Sequence, residues 1–247
     1  MGYVIAITGK GGTGKTTLAA LIVRLLRERK AGSLLAVDAD PNSNLAEVLG
    51  VKSSQTIGAI LDDISAHPEN IPYGMPKDRF IEYQVQSAIV ENDGFDLLTM
   101  GRPEGPGCYC YVNNVLRNTM DGLIKDYDYI VIDNEAGLEH LSRRTTRRAD
   151  TLLVVSDATV VGLKAAARIK QLAEELKIQT KNELLVINAY DKNLDEKKMK
   201  DIKLKLIGIV PYDKEIEKAA LDGGSVMGLS HNAVSLAALR KLGEKLW

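Results

Sequence analysis

The chain has 247 residues, 45% of them hydrophobic and 5% aromatic, with 32 Lys plus Arg against 33 Asp plus Glu. Collagen-like and disordered classes are excluded by that composition, and the length suits one large α/β domain or two small ones. A formal net charge of -1 gives no overall field to gather nucleic acid or anionic lipid, so neither is expected as a partner without a local patch.

In chain order the pattern alternates strand and helix. Residues 4–8 form a short apolar β-run, and 16–29 then show helical spacing through Leu18, Leu21, Ile22, Leu25 and Leu26. Further strands are predicted at 33–37, 97–100, 129–132, 152–155, 184–187 and 206–210, with a long helix over 161–176. Between them, 52–83 carries Pro68, Pro72 and Pro76 with few periodic apolar positions, which predicts a surface excursion around short helices. The stretch 192–203 reads as a solvated helix face. Apolar runs such as 152–155 fall far short of the roughly 20 residues that cross a bilayer. The opening residues lack a basic n-region and a cleavage site, so the expected location is the cytoplasm. Strands bounded by helices imply one α/β domain over 1–247, its mostly parallel central sheet flanked by helices on both faces.

Residues 9–16, Gly-Lys-Gly-Gly-Thr-Gly-Lys-Thr, fit G-x-x-x-x-G-K-[ST] between the first strand and the first helix. Glycines there let successive backbone N–H groups converge on phosphate oxygens, and the positive end of the helix favours the anion. Nucleotide contacts are assigned to Gly11, Gly12, Thr13, Gly14, Lys15 and Thr16 of the motif and to Thr17 directly after it, with ATP or ADP as ligand. Lys15 bridges the β- and γ-phosphates in this reading, and Thr16 supplies a hydroxyl to Mg²⁺. Asp133 ends the run 129–133 and is the Walker-B carboxylate expected to reach Mg²⁺ through water.

A second loop lysine, Lys10, does not belong to the ordinary motif. With it, residues 10–17 resemble the deviant Walker A of the MinD, ParA and nitrogenase iron protein superfamily, whose members dimerise around ATP. That resemblance implies that Lys10 reaches the partner's nucleotide and stabilises the transferred phosphoryl group. Residues 37–42, Val-Asp-Ala-Asp-Pro-Asn, are similar to the superfamily's switch I, which implies that Asp40 orients or deprotonates the attacking water, with Asp38 in a supporting or capping role. Asn188, Pro211 and Asp213 match positions where the superfamily holds adenine.

Cys108 and Cys110 are the two cysteines, set in the Gly/Pro-rich run 101–111. At i and i+2 of an extended segment both sulfurs face one side, and two thiolates are half of a four-coordinate nickel or zinc shell. A dimer supplies the other half, so metal affinity is expected to follow the nucleotide cycle. The alternative is two buried apolar side chains. Together with the 136–141 segment Ala-Gly-Leu-Glu-His-Leu after the Walker-B strand, this pair resembles the CooC family of nickel-inserting ATPases. The resemblance implies a homodimer assembled by ATP and metal, with apo carbon monoxide dehydrogenase or acetyl-CoA synthase as client. Competing readings are a ParA- or MinD-type spatial-organisation ATPase on DNA or membrane, and an electron-transfer ATPase holding an iron-sulfur cluster, against which the lack of a distant cysteine argues.

His140 is read as ordering the switch rather than ligating metal, and His67 and His231 as surface residues. Arg143, Arg144, Arg147 and Arg148 read as one basic face of a short helix, at a dimer surface or in solvent. The stripe Leu236, Leu239, Leu242, Leu246 with Trp247 suits packing on the sheet as well as a membrane tail.

Overall fold

The protein is described from a computed structural model covering residues 2–52, 55–102, 110–138, 148–192 and 202–247, with 110–116 described as backbone. Eight strands form one sheet among these residues: β1 (Tyr3–Gly9), β2 (Leu34–Ala39), β3 (Val90–Asn92), β4 (Phe95–Thr99), β5 (Tyr129–Asn134), β6 (Arg148–Ser156), β7 (Gln179–Ile187) and β8 (Lys205–Ile209). Their order is β3-β4-β2-β5-β1-β6-β7-β8, and every pairing is parallel except β3 with β4. The expected mostly parallel α/β sheet is what forms.

Parallel strands joined by helical crossovers are covered on both faces, which is why the central strands are near-continuous apolar runs. Alternate residues go opposite ways: Val4 and Ala6 enter one core with Leu152 and Val154, while Ile5 and Ile7 enter the other with Leu153 and Val155. Helices α1 (Lys15–Glu28), α2 (Leu45–Leu49) and, near the C-terminus, α8 (Val234–Leu246) supply the second core. The Leu236, Leu239, Leu242 and Leu246 stripe is buried there against the sheet. On the first face lie α3 (Ile57–Ala66), α4 (Lys77–Ser87), α5 (Cys110–Asp126) and α6 (Val160–Glu175). A shorter helix, α7 (Lys214–Leu221), has no fully buried residue and rests Ile216 and Ala219 on the second core.

Two expectations are corrected and one strand is added. The 52–83 stretch is a surface excursion only in part: short helices form there and residues 65–70 and 72–79 are exposed, but Ile57, Ile60, Leu61, Ile64, Phe80 and Ile81 are buried in the first core. Its prolines lie in the exposed part and punctuate the helices: Pro68 opens a short 3-10 turn (Pro68–Asn70) and Pro76 N-caps α4. Arg148 opens β6 and is not on a helix. The Asp93-Gly94 turn joins Asn92 to Phe95, with Gly94 at φ +80°, and so adds an antiparallel edge strand that periodicity passed over. The rest of the anticipated 192–203 helix lies outside the described residues from 193 to 201, as do Arg143, Arg144, Arg147 and His140.

Candidate functional site

The carboxyl ends of β1, β5, β2 and β4 stand side by side, and the residues that follow them build an open cleft of about 620 Å³. Its walls include Gly11, Gly12, Lys15, Thr16, Asp40 and Glu135. The Gly-rich loop leaves β1 and enters α1 through Gly14, whose φ of +82° is left-handed. A Cβ at Gly14 would stand 2.3 Å from Asn188 Nδ2. That amide donates to the Thr13 carbonyl at 2.9 Å, while the Thr13 hydroxyl donates to the Lys10 carbonyl at 2.9 Å, so the loop is braced from inside and from β7. Lys15 is buried, whereas Lys10 is exposed and makes no ion pair among the described residues.

Strand register brings the carboxylates together: Asp133 of β5 pairs with Ile7 on one side and Asp38 on the other. Asp133 is buried, and neither of its oxygens has a properly aligned hydrogen bond. Burial pushes its carboxyl up to about 7; the nearby Thr16 hydroxyl and the Lys15 charge work the other way, while Asp38 and Asp40 add to the rise. Asp38 is pushed up to about 6, again chiefly by burial, although it accepts from Leu45 N at 2.8 Å and Asp40 N at 3.2 Å. Those bonds make Asp38 the anchor of the loop into α2. Asp40 closes the next turn through Oδ1, which accepts from Asn42 N and Nδ2, each at 2.9 Å. Its Oδ2 has no protein partner among the described residues. A hard divalent cation fits this donor set: buried carboxylate oxygens without partners beside a threonine hydroxyl are what such an ion takes, and its charge offsets the crowding of acids.

A smaller pocket of about 150 Å³ opens beyond Thr17, and Asn188, Pro211 and Asp213 all line it. The three positions expected at adenine are therefore brought together. The Asp213 carboxylate, however, is engaged in structure: Oδ1 accepts from Glu215 N at 2.9 Å and caps α7, and Oδ2 accepts from Ser235 N at 3.0 Å and Oγ at 2.6 Å. These bonds hold its pKa low against its burial.

Cys110 is the first residue of α5, so the extended i, i+2 geometry expected of the pair does not continue through it. Cys108, the Cys110 side chain and His140 lie outside what is described, and no three His, Cys, Asp or Glu groups gather as a metal cage among the described residues. His67 and His231 are exposed, near Glu69 and Glu28 respectively. Three residues escaped the sequence reasoning. Arg102 and Glu135 line the cleft. Asn134 is buried beside Asp133; its Nδ2 donates to the Ile7 carbonyl at 2.9 Å, leaving Oδ1 without a partner. The signal available was position alone: Asn134 ends a strand, and Glu135 and Arg102 closely follow one.

Comparison with known proteins agrees with this geometry. The model of the CobQ/CobB/MinD/ParA nucleotide binding domain matches residues 4–226. The chain is 44% identical to an uncharacterized ATP-binding protein of Methanocaldococcus jannaschii, over 98% of each. It is 30% identical to the carbon monoxide dehydrogenase accessory protein CooC of Rhodospirillum rubrum, over 92% of this chain and 90% of that one. Its fold is like that of the septum site-determining protein MinD of Pyrococcus horikoshii, a structure complexed with Mg-ADP, with a TM-score of 0.72 at 23% identity, covering 99% of this chain and 96% of that one. Among the described residues no helix is long and apolar enough to cross a membrane.

Proposed function

The chain belongs to the CobQ/CobB/MinD/ParA nucleotide-binding family, and from that premise we propose that it is an ATP-hydrolysing metallochaperone. Two subunits close on ATP, and nickel, or zinc in its place, is held as cargo by Cys108 and Cys110 of each. Hydrolysis is coupled to delivery into apo carbon monoxide dehydrogenase, or acetyl-CoA synthase. One observation supports the coupling: the cleft wall includes Arg102, which in the sequence lies six positions before Cys108. The name of the 30% identical relative, a carbon monoxide dehydrogenase accessory protein, supports the client.

Each residue has a task in this reading. Backbone N–H groups from Gly11 to Thr17 and the Lys15 ammonium hold the phosphates at the head of α1. Mg²⁺, when bound, offsets phosphate charge; Thr16 would hold it directly and Asp133 through water. Asp40 takes the proton of the attacking water through Oδ2 as the water oxygen bonds to the γ-phosphorus. The bond from that phosphorus to the bridging oxygen breaks, and ADP leaves with the electron pair. Lys10, exposed, stabilises the transferred group in the other subunit. Adenine lies in the pocket of Asn188 and Pro211, with Asp213 shaping the wall.

Metal titration of the wild type and of the Cys108→Ala/Cys110→Ala chain, with and without ATP, tests the proposal. The expected result is about one ion per dimer, tighter or looser according to nucleotide, and lost in the double variant. Undiminished metal binding in the variant would sink the assignment. ATP-dependent co-sedimentation with liposomes or DNA, in place of metal binding, would transfer the chain to the spatial-organisation class.

A further inference from the structure

Across the cleft the strand ends follow the order β1, β5, β2, β4, roughly 14 Å from first to last at about 4.8 Å per strand. Their charges are arranged by sign. Lys15 follows β1; Asp133 and Glu135 belong to the end of β5; Asp38 and Asp40 to the end of β2; Arg102 follows β4. Acids in the middle are thus flanked by one cation on each side, and Lys15, Arg102, Asp40 and Glu135 all line the same space.

Arg102 is held to this position by its backbone. Met100 N donates to the Asp38 carbonyl at 2.8 Å, tying the end of β4 to the strand that carries Asp38 and Asp40, and Gly58 N donates to the Met100 carbonyl at 2.8 Å. Gly101 then turns the chain at φ +60°, where a Cβ would stand 2.6 Å from Thr56 Cβ. The Arg102 side chain is exposed, with no hydrogen bond or ion pair among the described residues. A guanidinium fixed at its root, free at its head and facing a cleft that already holds one lysine is a fork for an anion.

We infer that Arg102 is a second cationic ligand of the nucleotide, contacting the terminal phosphate from the side of the cleft opposite Lys15, and that it distinguishes triphosphate from diphosphate. The inference rests on the reading of the cleft as an ATP site. The first two phosphates occupy the loop at the head of α1, and the central acids repel any phosphate not shielded by a cation. The third phosphate lies farthest from the nucleoside, and is therefore the one placed to meet a cation on the β4 side.

The test measures affinities of the full chain for ADP and for a non-hydrolysable ATP analogue, each with Mg²⁺, in wild type, Arg102→Ala and Arg102→Lys. In Arg102→Ala the analogue is expected to bind roughly tenfold to hundredfold more weakly, the range of a charge-assisted hydrogen bond, with ADP affinity unchanged. Arg102→Lys is expected to recover part of the difference, because it keeps the charge and loses the fork. Unchanged ADP binding also serves as the control for folding. Equal weakening of both nucleotides, or weakening of neither, overturns the assignment while leaving the ATP site standing. Wild-type protein that binds neither nucleotide overturns the ATP reading itself.

Discussion

Asp133 shows how a single residue holds the conflict between stability and use. Its carboxyl, at about 7 in the folded chain against an ordinary 3.8, keeps a proton that the unfolded chain gives up between those values. The unfolded state therefore binds fewer protons there, and stability from this group, full below about pH 4, is lost as pH rises through 7. Asp38, at about 6, acts with the same sign over a narrower window. Protein free of metal and nucleotide is expected to melt progressively lower from about pH 4 to about pH 7, with the fall levelling off above that. Asp133→Asn is expected to flatten that slope and raise stability near pH 8 by about 2 kcal/mol, or roughly 4–8 °C in Tm, as followed by thermal unfolding across the range. A slope as steep in the variant as in wild type would place the titration elsewhere. The motif that marks Asp133 was legible because its members are close in sequence. Arg102 and Asn134 were not, because their places depend on β4 lying next to β2, and β5 between β2 and β1, neighbours no local spacing announces.

Elements were legible in proportion to how strongly burial imprints a period. The central strands, buried on both faces, are short apolar runs that read as strands, and α1, α6 and α8 each repeat apolar residues at helical spacing. Helices α3 and α4 were anticipated only as unplaced short helices, and their burial was missed, because three prolines and several charges between 62 and 79 break the window in which a period is counted, although each short helix keeps its own apolar face. Burial decides the matter at Ile81, which is 0% exposed, whereas Tyr83 on the same helix is 60% exposed. Ile81→Ala is expected to cost about 2–5 kcal/mol in urea unfolding. Tyr83→Ala is expected to stay within about 0.5 kcal/mol. Similar small losses in both would restore the view of this stretch as a surface excursion. At the other end of the chain, Asp213 joins α7 to α8 by bonds that span 22 residues, so a residue anticipated as a nucleotide contact is also a fastening between helices.

At the scale of the whole molecule, the chain carries a divided set of tools. Lys15 and Asp40 line one cleft, with Asp133 buried near Lys15 and Thr16, yet Lys10, in the same loop as Lys15, is exposed and unpaired among the described residues. In the two-fold dimer proposed above, Lys10 of each copy would enter the other's cleft, as an isologous contact makes the exchange reciprocal. In the proposed dimer, then, each nucleotide is served by Asp40 of its own subunit and Lys10 of the other. The consequence is specific. Lys10→Ala alone and Asp40→Asn alone are each expected to lose ATP hydrolysis while keeping most nucleotide affinity, whereas Lys15→Ala weakens binding itself. Mixing the first two variants produces heterodimers in which one cleft has both an intact Asp40 and an intact partner lysine, and the other has neither. Phosphate release should therefore reappear in the mixture, below the wild-type rate. It should depend on total protein concentration as association does. If Lys10 served its own subunit, every cleft in the mixture would lack one of the two groups and phosphate release would stay at background. The recovery of activity from two inactive chains is thus the measurement that separates a shared site from one that each chain completes alone.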